Sequence, residues 1–142
     1  RSSYPGIHSN QVGFPGGQID PADQTPWDTA KRELWEELGI SPKQVTQIRK
    51  ITPLYIPPSH FWVDCFLAYS NAQTELNLDQ NEVKEVISVT LAEFINAKKS
   101  FTNLVEGKGV ETPIYILSDN KVWGATAMML AEIKSIISQV LN

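Results

Sequence analysis

Residues 25–39 read Thr-Pro-Trp-Asp-Thr-Ala-Lys-Arg-Glu-Leu-Trp-Glu-Glu-Leu-Gly, and the fold is best read outward from them. Thr25 offers a capping hydroxyl, Pro26 suits a first helical position, and Asp28 stands three residues after the cap. That combination starts an α-helix. Gly39 stops it, because glycine accepts the left-handed conformation that closes a helix. With Trp27 at 0° and about 100° per residue, Ala30, Leu34 and Leu38 lie within about 60° of Trp27 and form an apolar stripe. Glu33, Glu36 and Glu37 fall near about 240°, 180° and 280°, a second stripe beside the first. Carboxylates crowded on one face, without a lysine four residues along, repel by about 0.2–0.5 kcal/mol per pair. A solvated acidic face is one reading of a bare Glu-x-x-Glu-Glu. The other is a cation site, since a hard divalent ion takes oxygen ligands and turns the repulsion into attraction.

The flanking residues favour the second reading. Phe14-Pro15-Gly16-Gly17 ends a short extended run, Gln11 to Phe14, and begins a loop leading to the helix. Glycines there allow a backbone carbonyl to approach an ion or phosphate closely. Arg32 can hold a neighbouring carboxylate through a forked hydrogen bond.

Downstream, Gln44 to Pro53 reads as extended, and Pro57-Pro58 forces a turn. Phe61 to Tyr69, apolar on both faces, suits a buried central strand. Val83 to Thr90 is rich in β-formers, and Leu91 to Lys98 favours a short helix. Ile114–Leu117 and Lys121–Trp123 flank Ser118-Asp119-Asn120 as a hairpin. A last helix is expected from about Ala125 to Leu141, with Met129, Ile133, Ile136, Ile137 and Val140 on its buried side. Strands interleaved with two substantial helices indicate an α/β layered domain.

The 142 residues suit one domain, and 42% of them are apolar, enough for a packed core. Only 20% are charged, which argues against wholesale disorder. The net charge of −4 argues against a nucleic-acid surface, which carries excess base. Cys65 is the single cysteine, so an internal disulfide and a cysteine-rich zinc site are excluded. No apolar run approaches the ~20 residues of a membrane span, and no signal-peptide pattern leads the chain. The compartment expected is cytoplasmic. The chain opens at Arg1-Ser2-Ser3 without methionine, so a first strand is expected to lie upstream.

Gly17 followed by Arg32-Glu33-Leu34-Trp35-Glu36-Glu37-Leu38-Gly39-Ile40 resembles the Nudix box, G-x5-E-x7-R-E-U-x-E-E-x-G-U with U aliphatic. The second half agrees at every specified position. In the first half Asp23 stands where glutamate is usual, and eight residues rather than seven separate it from Arg32. This extension, with Thr29-Ala30 ahead of Arg32-Glu33, resembles the coenzyme A diphosphatase branch of the family. So do Arg1-Ser2 with His8 to Val12, Pro53 to Ser59 with Phe61, Asn81-Glu82-Val83, Thr112 to Tyr115 and Trp123 to Ala127. Gly6 and Asn10 depart from that branch, which often carries Arg and Gly there.

The resemblance implies a Nudix α/β/α sandwich with a mixed sheet, one domain over residues 1–142. It implies a hydrolase that cleaves the diphosphate of coenzyme A or acyl-coenzyme A, with Mg²⁺ or Mn²⁺ as cofactor. The products would be 3′,5′-ADP and 4′-phosphopantetheine or its acyl form. Glu33, Glu36 and Glu37 would bind the metal, with the Gly16 carbonyl as a further ligand, and Arg32 would orient Glu33. The general base would be Glu37 or Glu82. Arg1, His8, Gly17, Ser59 and His60 are candidates for substrate contact. The partner expected is a small nucleotide-like molecule, with no nucleic acid or membrane, and a homodimer is left open. Two other readings stand beside this one: a Nudix enzyme acting on ADP-ribose, a dinucleotide or a nucleoside triphosphate, and a non-catalytic nucleotide-binding module. Simpler roles are expected for Trp123 as a core plug, Cys65 as a buried small hydrophobe and Asp20 as a turn former. Asp23 is expected to assist the metal site through water.

Overall fold

The computed structural model describes residues 11–57, 59–71, 75–103 and 111–141. The chain divides into two compact units, Arg1–Val86 and Ile87–Asn142. In the first, helix α1 spans Pro26–Leu38. Thr25 caps it: the Asp28 amide donates to the Thr25 hydroxyl at 3.2 Å. At the other end Gly39 adopts φ 72° and its amide donates to the Trp35 carbonyl. The apolar stripe faces inward, with Leu38 buried and the Trp27 ring 5.4 Å from that of Phe66.

After a 3-10 turn at Pro42–Gln44, strand β1 (Val45–Lys50) pairs antiparallel with β4 (Phe66–Ser70). The register shifts between Gln47 and Arg49, a bulge in β1. Between them β2 (Leu54–Ile56) and β3 (Phe61–Val63) form a separate hairpin. Ile51, 1% exposed, anchors the unit, and its amide donates to the Cys65 carbonyl at 2.8 Å.

The single buried strand expected over Phe61 to Tyr69 is two strands, broken at Asp64-Cys65. Asp64 forms an ion pair with Lys50 at 2.8 Å, while Phe61 and Trp62 sit exposed on the hairpin. A charged residue at the centre of an apolar run was the signal for the break. Cys65 is half-buried rather than buried. The extended piece expected at Gln11 to Phe14 is irregular.

The second unit holds α2 (Leu91–Asn96), β5 (Ser100–Asn103), β6 (Glu111–Leu117), β7 (Asn120–Val122) and α3 (Gly124–Leu141). The three strands pair antiparallel in the order β5-β6-β7. Ser118 and Asp119 both take positive φ, 45° and 62°, as a two-residue type I′ hairpin requires. Ser118 is fixed from outside the turn, because its amide donates to Glu93 Oε1 at 2.6 Å. Ile114, Tyr115, Leu117, Val122, Ala127, Met129 and Ile133 are buried in this unit.

Three expectations fail here. Val83 to Thr90 forms no strand: the Val83 amide is used by the Asp79 carbonyl, and no ladder partner is recorded for these residues. Trp123 is 40% exposed and plugs no core, and Val140, in the last turn of α3, is 80% exposed. The α/β class holds. Every described ladder is antiparallel, so the parallel pair that a mixed sheet requires is not among the described residues. Nor, among them, is any helix long and apolar enough to cross a membrane.

Candidate active site

The candidate acidic cluster lies in the first unit and starts from α1. Glu33 and Glu37, one turn apart on α1, bring carboxylate oxygens within 4.8 Å of each other and of Glu82. Glu37 is buried at 7% exposure, Glu33 is half-buried and Glu82 is exposed. Burying a carboxylate is costly unless something compensates its charge.

Glu82 reaches the helix through a loop sewn onto the last turn of α1. The Asn77 amide donates to the Leu38 carbonyl at 2.9 Å and the Asp79 amide to the Glu37 carbonyl at 3.0 Å. These are carbonyls that a helix end leaves without internal partners. The loop then folds on itself, with the Glu82 and Val83 amides donating to the Asp79 carbonyl at 3.1 and 2.8 Å. Val83 is buried and fastens the far end of the loop. A Cβ on Gly39 would come within 2.8 Å of Asn77 Cβ, so the loop approaches this closely only because Gly39 lacks a side chain.

Arg32 organises the other side of the site. Its Nη1 donates to Glu33 Oε1 at 2.8 Å and to Glu36 Oε2 at 2.9 Å. Its Nε and Nη2 donate to the Asp23 carboxylate at 3.1–3.3 Å, and Nη2 also to the Gln18 carbonyl at 2.9 Å. Asp23 further accepts from the Thr29 hydroxyl and the Asp20 amide, both at 2.9 Å. The Arg32 guanidinium, followed by the Asp20 amide, holds the Asp23 carboxyl down to about 2. In return Asp23, then Glu33, pushes the guanidinium further above its ordinary range.

Glu36, expected among the metal ligands, accepts from Arg32 Nη1 as Glu33 does, and its side chain is 53% exposed. Asp23, expected to act on a metal through water, is clamped to Arg32. Gly17 lies against Glu33, where an added Cβ would overlap the carboxylate; Gly16 precedes it, half-buried. Ser59 and His60 are engaged within the β2–β3 hairpin. The Ser59 hydroxyl donates to the Ile56 carbonyl at 3.4 Å, and His60 Nδ1 lies 2.9 Å from the Tyr55 hydroxyl. Arg1, His8 and Pro58 fall outside the described residues. The residue that sequence reasoning passed over is Asp79. Its signal was the sequence Asp79-Gln80-Asn81, a turn-forming pair just before Glu82.

Carboxylate oxygens are the donors that hard divalent cations take, and three of them converging from a rigid helix and a fastened loop fit such an ion.

The NUDIX domain matches residues 1–106, and the chain belongs to this family. It is 31% identical over 125 residues to a probable Nudix hydrolase of Schizosaccharomyces pombe, covering 87% of this chain and 44% of that protein. With the mitochondrial coenzyme A diphosphatase NUDT8 of Homo sapiens it shares 30% identity over 132 residues, 90% of this chain and 56% of the relative. An uncharacterized Nudix hydrolase, NudL, of Pectobacterium atrosepticum is 31% identical over 133 residues, 92% of this chain and 69% of its own length. The chain thus spans about half the length of the first two relatives.

Proposed function

We propose that this chain is a metal-dependent Nudix hydrolase that cleaves the diphosphate of coenzyme A or an acyl derivative, giving 3′,5′-ADP and (acyl-)4′-phosphopantetheine. The observation that carries the proposal is the convergence of Glu33, Glu37 and Glu82 within 4.8 Å. Family membership supports hydrolysis. The choice of coenzyme A draws on the motifs outside the box and on the similarity to a relative named for that activity.

Glu33, Glu37 and Glu82 would hold Mg²⁺ or Mn²⁺. A bound divalent ion supplies Lewis-acid polarisation of the diphosphate oxygens and reverses the sign of a site that would otherwise repel an anion. Arg32 holds Glu33 from the side and keeps Glu36 beside it, which restricts the rotamers of both carboxylates. Glu82, the exposed member of the trio, is the carboxylate open to bulk water. Through the carboxylate oxygen that a bound ion would leave free, it is assigned as the base that takes the proton as water attacks phosphorus. The new P–O bond forms from water, the bridging P–O bond breaks in line, and the departing phosphate carries the charge away. No covalent nucleophile is required. Ser59 and His60, on the exposed hairpin, are assigned to substrate contact. The cytosol is retained as the proposed compartment on the strength of the lone cysteine, with the mitochondrial name of the human relative marking the alternative.

Incubation with coenzyme A, ADP-ribose, a dinucleotide and a nucleoside triphosphate in ¹⁸O-water, followed by mass spectrometry, tests the proposal. Labelled phosphopantetheine or 3′,5′-ADP is expected. Turnover of ADP-ribose or of a nucleotide without a 3′-phosphate in preference to coenzyme A would replace the substrate, and binding without any turnover would favour the non-catalytic module. Glu37→Gln is expected to lower turnover by roughly 100-fold or more while the far-ultraviolet spectrum stays unchanged. Full activity in that variant would remove Glu37 from the site.

A further inference from the structure

Two of the three converging carboxylates belong to α1, and the third arrives from a loop with no regular secondary structure. One residue joins the two. The Asp79 amide donates to the carbonyl of Glu37, and the Asp79 carbonyl accepts from the amide of Glu82. The backbones of two site carboxylates are therefore bonded to the two peptide groups of a single residue. The Asp79 side chain fixes the bend between them: Oδ1 accepts from the Asn81 amide at 2.9 Å and from Asn81 Nδ2 at 3.0 Å. This is an Asx turn, in which a side-chain oxygen stands in for a backbone acceptor.

Packing contributes little here. An open cleft runs along Trp35, Glu36, Gly39, Asn77, Leu78 and Asp79. Asn77 is exposed, and Leu78 and Asp79 are only half-buried. Hydrogen bonds, rather than an apolar seat, hold the segment against the helix. Toward Glu82 the path of the chain is set by the Glu82 and Val83 amides on the Asp79 carbonyl together with the two Asn81 bonds to the Asp79 side chain.

We infer that Asp79 is a positioning residue, which holds Glu82 in register with Glu33 and Glu37 through the acceptor oxygen of its side chain and not through its charge. The inference rests on the metal-site reading above for its functional consequence, while its structural part stands apart from it.

The test compares Asp79→Ala with Asp79→Asn in the full chain. Asparagine keeps the acceptor oxygen and loses the charge; alanine loses both. In metal-free protein, hydrogen exchange at the Glu82 and Val83 amides is expected to accelerate at least about tenfold in Asp79→Ala, with the α1 amides unchanged and Asp79→Asn close to wild type. Titration with Mn²⁺ alone, followed by electron paramagnetic resonance of the free ion, is expected to show roughly 10–100-fold weaker binding in Asp79→Ala. Asp79→Asn should restore that binding.

Equal exchange in the alanine and wild-type chains would overturn the inference. So would an asparagine variant as impaired as alanine, since charge rather than the acceptor would then be at work. If alanine unfolds the chain, the asparagine variant decides by itself: wild-type exchange and Mn²⁺ affinity support the acceptor role, and loss of either overturns it. Absence of Mn²⁺ binding in the wild type would overturn the metal-site reading, and the exchange data would still decide the role of Asp79 in the turn.

Discussion

Arg32 contacts three carboxylates at once, those of Asp23, Glu33 and Glu36. A guanidinium suits this task, because its planar fork can serve several carboxylates and it does not lose its proton. The clamp has a defined pH dependence through Asp23. Its carboxyl is held at about 2 in the folded chain, below the ordinary value of 3.8. A depressed acid of this kind adds stability above its unfolded pKa, and the contribution disappears as pH falls through the folded value. The difference in urea midpoint between wild type and Asp23→Asn is therefore expected to be constant from pH 7 to 5 and to narrow between about pH 4 and 2. A gap that widened on acidification would contradict the Asp23–Arg32 pairing.

At the scale of elements, α1 was legible almost residue by residue. Its start, its stop and its two stripes follow from Thr25, Pro26, Gly39 and the spacing of Trp27, Leu34 and Leu38, all of them local signals. The hairpin around Ser118-Asp119 and the short helix α2 were legible for the same reason, although Asn120, expected in the turn, belongs to β7. What escaped was non-local. Phe61 to Tyr69 is apolar on either side of Asp64, and the run showed a charge at its centre but not the Lys50 of β1 that pairs with it. Val83 has the β-branched side chain of a strand residue, yet its amide is used by Asp79 and its side chain by the core. At the site, the box showed which acids share a helix face. It did not show that Glu36 would turn to Arg32, nor that the loop amides would bond to the carbonyls at the end of α1. That seam depends on Gly39. In Gly39→Ala a side chain would occupy left-handed backbone, φ 72°, and crowd Asn77. A loss of about 1–2 kcal/mol in chemical denaturation is expected from the backbone alone, accompanied by faster exchange at Glu82. Alanine tolerated without cost would show that the loop does not depend on close approach at this position.

For the whole molecule, a ligand that binds the folded chain and not the unfolded one raises the melting temperature by mass action. A divalent ion at about 100 times its dissociation constant adds about 2.7 kcal/mol, or roughly 5–10 °C for a chain of this size. Mn²⁺ is expected to give such a shift in wild type and almost none in Glu37→Gln, as read by calorimetry. Should the trace resolve into two transitions, the one that moves should belong to Arg1–Val86, the unit that carries the acidic trio. Movement of the other alone would place the cation elsewhere.

The distribution of indoles has a practical corollary. Trp35, Trp62 and Trp123 are 53%, 72% and 40% exposed, whereas Trp27 is half-buried with its ring near Phe66. Native emission should accordingly lie toward long wavelengths and be readily quenched by acrylamide. Trp27 is the one built-in optical gauge of whether the acid-bearing helix is seated.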